Sequence, residues 1–156
     1  MRKLFDVMDK YDENNNLIYH RNKYGCEKFY EYDEKGNLIH YNDSNSNEYW
    51  KRYNENNLEI YFREKDKYEW WKEYDKKDRL IHYKDSNGDE YWYEYDENNN
   101  EILVEYVNGF KCWREYDKYG NEIHYKDSNG YEYWKEYDEN NNLISSRDCK
   151  GNEIIY

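Results

Sequence analysis

Three histidines recur every 42 residues, at His40, His82 and His124, each ten residues before a tryptophan. Imidazoles in a regular column invite a metal, which needs two or more of them converging on one point. In a flat sheet, residues 42 apart are two hairpins apart and would stand about 19 Å from each other, so cross-strand packing is expected and no metal is assigned. Asp85-Ser86-Asn87-Gly88-Asp89-Glu90 has the carboxylate spacing of a calcium loop. The same residues are what a tight turn requires, and a turn is the expectation. The serines, Ser44, Ser46, Ser86, Ser128, Ser145 and Ser146, carry no nucleophile signature, and no Gly-rich phosphate loop occurs. The expected protein is therefore not an enzyme, and no cofactor is assigned.

Carboxylates provide the strongest chemical pattern. They form columns at Asp33, Asp75, Asp96, Asp117 and Asp138, at Glu27, Glu48, Glu69, Glu90, Glu132 and Glu153, and at Glu31, Glu73, Glu94, Glu115 and Glu136. Alternate residues of a strand lie about 7 Å apart, close to the phosphate spacing of one nucleic-acid strand. Such an array could occupy a basic groove, or it could be a solvated face partly neutralised by Arg21, Arg63, Lys84, Lys126 and Arg147. The formal net charge of −12 speaks against direct nucleic-acid binding, which depends on neutralising phosphates with Lys and Arg.

These columns are set by a tandem repeat, the feature to seek first in such a chain. Tyr11, Tyr32, Tyr53, Tyr74, Tyr95, Tyr116 and Tyr137 are each 21 residues apart. Seven positions after each stands Ile18, Ile39, Ile60, Ile81, Ile102, Ile123 or Ile144, and position 19 holds Phe29, five tryptophans (Trp50, Trp71, Trp92, Trp113, Trp134) and Ile155. The 156 residues thus form one repeat domain, with residues 1–10 as a partial leading unit. A longer period of 42 overlies the first, because alternate units share the His-Tyr-x-Asp-Ser-Asn and Glu-Tyr-Trp segments.

Composition agrees with a thin, aromatic fold. Ile, Leu, Val and Phe supply only 23 of 156 residues, which by itself points to disorder. Against that stand 23 Tyr and 6 Trp, which stabilise a fold once placed in register. Each unit reads as two short aromatic strands separated by Asp/Asn/Ser/Gly turns. The expected fold is all-β: hairpin repeats in one long, curved or coiled antiparallel meander, with a leading strand near Leu4–Met8. For Ile and Trp to share a face, even positions must pair with odd. A three-residue turn ending at Gly36 is expected to give that pairing, and the Asp-Ser-Asn-Gly turn to need an even loop or a bulge. The opposite face is expected to carry Tyr and Leu.

No apolar run exceeds four residues, so neither a membrane helix nor a signal peptide is expected. Cys26, Cys112 and Cys149 form an odd set without C-x-x-C spacing, which suits a reducing bacterial cytoplasm.

The Tyr-Asp-x-x-(Gly/Asn)-Asn-Leu motif in a 21-residue frame resembles the YD repeat of rearrangement-hotspot (RHS) and teneurin-type proteins. Tyr32, Asp33, Gly36, Asn37 and Leu38 carry the match, with Asp85 and Gly88, and Asp127 and Gly130, in the second turn. The resemblance implies a β-sheet spiral of the kind that in long arrays forms a shell around a toxin. It departs in having seven units, Asn at several first-turn Gly positions and no Pro in the second turn. The aromatic strands are more weakly similar to the cell-wall-binding repeats of choline-binding proteins.

From these features the expected function is binding of another protein through Glu48, Tyr49, Trp50, Glu90, Tyr91, Trp92, Glu132, Tyr133 and Trp134. Its sharpest form is a phage or mobile-element inhibitor occupying the basic nucleic-acid site of a host defence enzyme, of the anti-CRISPR or anti-restriction type. The rivals are a carbohydrate-binding module and a scaffold or immunity partner related to RHS toxin shells. Edge strands at the two ends could also pair between copies.

Overall fold

In the computed structural model, residues 4–156 are described. The chain is all-β: β1 (Met8–Tyr11), β2 (Leu17–Arg21), β3 (Glu27–Tyr32), β4 (Leu38–Asp43), β5 (Glu48–Tyr53), β6 (Glu59–Glu64), β7 (Glu69–Tyr74), β8 (Leu80–Asp85), β9 (Glu90–Tyr95), β10 (Glu101–Tyr106), β11 (Lys111–Tyr116), β12 (Glu122–Asp127), β13 (Glu132–Tyr137), β14 (Leu143–Asp148) and β15 (Glu153–Ile155). Two compact units contain them. The first runs to Asp78 and includes Asp85–Asn87; the second holds Arg79–Lys84 and Gly88–Tyr156. Within each unit, sheet neighbours are consecutive in the chain and antiparallel, and the sheet is open.

One turn chemistry explains the Asp-rich segments. Asp33 Oδ1 accepts the backbone N–H of Lys35 at 2.9 Å and of Asn37 at 2.8 Å, while Oδ2 accepts the Asn37 side-chain amide at 3.0 Å. The Gly36 N–H closes the turn on the Asp33 carbonyl at 3.0 Å, and the Asp33 N–H bonds the Asn37 carbonyl at 2.9 Å. The second turn, at Asp43–Asn47, repeats each of these bonds. Among the described residues, thirteen turns place a left-handed residue fourth; the turn after β6 places it third, at Asp66 (φ 56°). Asn and Asp tolerate this conformation and Gly adopts it without strain, hence the Gly/Asn alternation of the motif. The serine of Asp-Ser-Asn has its own task. Ser44 donates its N–H to the Glu27 carbonyl at 2.9 Å and accepts the Glu27 N–H on Oγ at 3.1 Å, and Ser86 and Ser128 do the same to Glu69 and Lys111.

The parity expectation holds for the faces but needs correction on the device. Turn 43–47 pairs like with like, His40 against Trp50 and Tyr41 against Tyr49, with neither an even loop nor a bulge. A three-residue loop always pairs like parity, so the Gly36 turn does not change it either. The change comes one residue further on. Tyr32 pairs with Leu38 but Glu31 pairs with His40, leaving Ile39 as an extra, bulged residue. Ile18, Ile60, Ile102, Ile123 and Ile144 are skipped in the same way. The repeated isoleucine is therefore the bulge residue itself.

The two faces then separate as expected. On one, Ile39 and Ile60 line a groove with Trp50, and Ile123 and Ile144 line one with Trp134. On the other, Tyr30, Tyr41, Tyr49, Phe62 and Trp70 follow one another across β3–β7 at centroid distances of 5.3, 5.0, 5.7 and 6.0 Å. The tyrosine column ties hairpin to hairpin, since the Tyr32, Tyr53, Tyr74, Tyr95 and Tyr116 hydroxyls donate to the carbonyls of Leu17, Leu38, Glu59, Leu80 and Glu101. Full burial is rare: Val104 and Cys112, a cross-strand pair, are the buried apolar residues among those described.

Two stability predictions follow from the turns. Gly120→Ala, at φ +86°, is expected to cost about 1–2 kcal/mol in urea unfolding, whereas Asn99→Gly, at φ 71°, costs nothing. In the turns, hydrogen bonds from Asn16, Asn37, Asn47, Asn100, Asn121, Asn142 and Asn152 hold Asp12, Asp33, Asp43, Asp96, Asp117, Asp138 and Asp148 below the ordinary carboxylate value. The unfolded chain thus binds more protons in acid. The contribution of these turns is whole above about pH 4 and lost as pH falls through the depressed folded values. Melting temperature against pH should be flat in this respect from 7 to 5 and fall steeply below 4; Asp117→Asn should flatten the fall.

Candidate functional site

The most chemically varied surface is the face that carries tryptophan. In the first unit His40 stacks on Trp50 with centroids 5.1 Å apart and planes 8° apart, and the Arg63 guanidinium lies 5.6 Å from the Trp50 ring centre. Their strands dictate this sandwich, because His40 pairs with Trp50 and Trp50 with Arg63. In the second unit His124 and Arg147 enclose Trp134 in the same way, at 5.3 and 5.2 Å. His82 stacks on Trp92 at 5.2 Å, but the residue across from Trp92 on β10 is Glu105.

A glutamate stands at the Nε2 of each of these imidazoles. His40 Nε2 is 3.1 Å from Glu48 and Nδ1 is 3.1 Å from Glu31; for His124 the distances are 2.8 Å to Glu132 and 3.3 Å to Glu115. His82 Nε2 is 2.9 Å from Glu90. Hydrogen bonds from Lys65, at 2.9 Å, and then from His40 hold Glu48 below the usual carboxylate range, and His82 does the same for Glu90. These glutamates are thus committed to neighbours. The exposed carboxylates are those on the other side of each histidine, Glu31 at 66% and Glu115 at 69% side-chain exposure.

The sequence-derived candidates divide between faces. Glu48 and Trp50, Glu90 and Trp92, and Glu132 and Trp134 stand on the tryptophan face. Tyr49, Tyr91 and Tyr133 stand on the tyrosine face, as adjacent strand residues must. Tyr49 packs between Tyr41 and Phe62, Tyr91 against Tyr83 and Tyr106, and Tyr133 on Tyr125. The Tyr133 hydroxyl donates to Glu122, and burial together with that bond pushes its phenol well above the ordinary value. Burial and a hydrogen bond to Asp43 push Tyr41 up to about 12.

Among the described residues no group of His, Cys, Asp and Glu is arranged to hold a metal ion. The 85–90 segment forms the expected turn, with buried Asp85 accepting the Asn87 N–H at 2.9 Å and the Tyr68 hydroxyl at 3.0 Å. The sequence reading missed the aromatic cations. Arg52, for example, lies 5.1 Å from the Tyr61 ring centre, and its signal was an Arg in a column that five other units fill with glutamate and the leading unit with Lys10.

No protein-family model and no curated relative matches the sequence. The fold is similar to that in crystal structures of TcdB2-TccC3-TEV and TcdB2-TccC3-Cdc42 and in the structure of the Photorhabdus luminescens Tc holotoxin pore, each at TM-score 0.66 and 16% identity. Each match covers 95% of this chain and 9% of the other, so the chain spans about a tenth of the length of those proteins.

The sandwiches make a graded prediction. Half-buried Trp134, covered on both ring faces, should cost about 2 kcal/mol on replacement by alanine, and Trp113, 39% exposed, about 1 kcal/mol. Urea unfolding of the two variants gives the comparison.

Proposed function

We propose that the chain is a non-catalytic β-repeat module that binds another protein through its tryptophan face, as a structural segment of an assembly of the toxin-complex kind. The observation that carries this reading is the exposure left on the tryptophan face of each unit: Trp71 40% in the first, Trp92 38% and Trp113 39% in the second. Tryptophan and arginine dominate protein-binding hot spots, and a single-layer sheet presents them without a second layer above. Likeness of fold to Tc toxin structures supports the scaffold form of the reading, which corresponds to the RHS-type resemblance of the repeat.

The narrower inhibitor reading, a carboxylate ladder set into a basic nucleic-acid site, draws less support. Glu48 and Glu90 already bond histidine and lysine, and this leaves the Glu31 and Glu115 positions to act alone. A sugar platform draws no support at Trp50 or Trp134, whose ring faces are occupied, and would have to use Trp71, Trp92 or Trp113.

The test is affinity capture by the tagged chain, compared with a Trp92→Ala/Trp113→Ala variant that melts like the parent. Recovery of a defined protein partner, reduced tenfold or more by the variant, is expected. Equal recovery by both, or binding of wall glycan that salt does not weaken, would overturn the reading.

A further inference from the structure

The grooves beside Trp50 and Trp134 are copies of one repeat site that differ at two positions. Both have a floor of two bulge isoleucines, a histidine and a tryptophan: Ile39, Ile60, His40 and Trp50 in about 650 Å³, and Ile123, Ile144, His124 and Trp134 in about 550 Å³. Eighty-four residues separate equivalent positions. The first copy has Arg52 where the second has Glu136, and Tyr61 where the second has Ser145. Elsewhere the column of Arg52 is Glu31, Glu73, Glu94 and Glu115, with Lys10 in the leading partial unit.

That exchange makes the first groove cationic within an acidic chain. Arg52 pairs across β5–β6 with Tyr61, and Arg63 with Trp50, so two exposed guanidinium groups lie diagonally over two aromatic rings. Neither has a carboxylate within ion-pair distance among the described residues. Most of the nearby acids are already engaged. Glu48 is held by His40 and Lys65, Asp33 holds its own turn, and Glu69, across from Arg63, accepts the Tyr61 hydroxyl at 3.0 Å; Glu31, 3.1 Å from His40, stays 66% exposed at the edge of the groove. Guanidinium groups oriented by aromatic rings are suited to receiving carboxylates, with little side-chain freedom left to lose. Exposed Trp71, 5.6 Å from Tyr61, extends the same patch.

We infer that this groove takes an acidic peptide segment of the partner protein, with carboxylates between Arg52 and Arg63 and aliphatic stems over Ile39 and Ile60. The inference rests on the protein-binding reading above and specifies its partner. The net charge of −12 does not oppose it at physiological salt, where screening acts over about 8 Å and local pairing decides.

The repeat provides its own control. Fluorescence anisotropy of a labelled, acetylated hexaglutamate peptide in 0.15 M salt should show saturable binding, with hexaglutamine not bound. Arg52→Glu and Arg63→Gln should each weaken it about tenfold. Arg52→Glu keeps the fold, since the same column already accepts glutamate in five other units. Glu136→Arg/Ser145→Tyr, which rebuilds the first groove in the second, should raise the stoichiometry from one site to two. No saturable binding, equal binding by wild type and Arg52→Glu, or displacement by inorganic phosphate as effective as by the unlabelled peptide would overturn the assignment. Loss of partner capture in the tryptophan variant, with hexaglutamate unbound, would sink this site and leave the protein-binding reading standing; the converse pair of results would do the opposite.

Discussion

An odd repeat length imposes the constraint on which everything else depends. Two hairpins joined by three-residue loops pair residues of like parity, so every twenty-first residue would fall on alternate faces of the sheet. Tryptophan would then point up in one unit and down in the next. One bulged isoleucine per unit restores the phase, as the pairing of Glu31 with His40 past Ile39 shows. Only with that correction can tryptophan, histidine and the bulge isoleucines share one face, and tyrosine the other.

Once the faces of each unit are continuous, cross-strand pairs replace a core. Aromatic pairs contribute about 0.5–1.5 kcal/mol each beyond the area they bury. A chain of them, such as Tyr30 to Trp70, spreads stability along the sheet. Polar groups do not erode it, because buried side-chain nitrogens and oxygens all have partners among the described residues. Tyrosine suits this architecture better than phenylalanine. Its ring packs on one hairpin while its hydroxyl reaches a carbonyl of the hairpin before, as Tyr95 does to Leu80 at 2.8 Å.

The sequence made the fold class and the alternation of strand and turn legible, because phase over seven units averages out local ambiguity; the leading strand, outside that phase, lies at Met8–Tyr11 and not near Leu4–Met8. The location of the parity change was not legible. Asp, Asn and Gly mark a tight loop whatever its length, and an isoleucine in an aromatic segment reads as an ordinary strand residue. The candidate site was legible in part. Period-two alternation alone separates Tyr49 from Glu48 and Trp50, whereas the histidine clamp between Glu31 and Glu48 depends on the register that the bulge sets.

A repeat also changes what counts as information. Residues that recur in most units, such as the turn aspartates and the bulge isoleucines, are accounted for by folding: each has a hydrogen bond or register role that recurs with it. Specificity must then reside where the array departs from itself. Arg52 in a glutamate column is such a departure, and its partner Tyr61 replaces the serine of the equivalent unit. Neither is required by the turns, the bulge or the tyrosine ties, since the copy with Glu136 and Ser145 forms the same hairpin and the same His124–Trp134–Arg147 sandwich. On the protein-binding reading proposed above, a substitution that the fold does not need, placed on the face with open tryptophans, is where an acidic array would distinguish one partner from another.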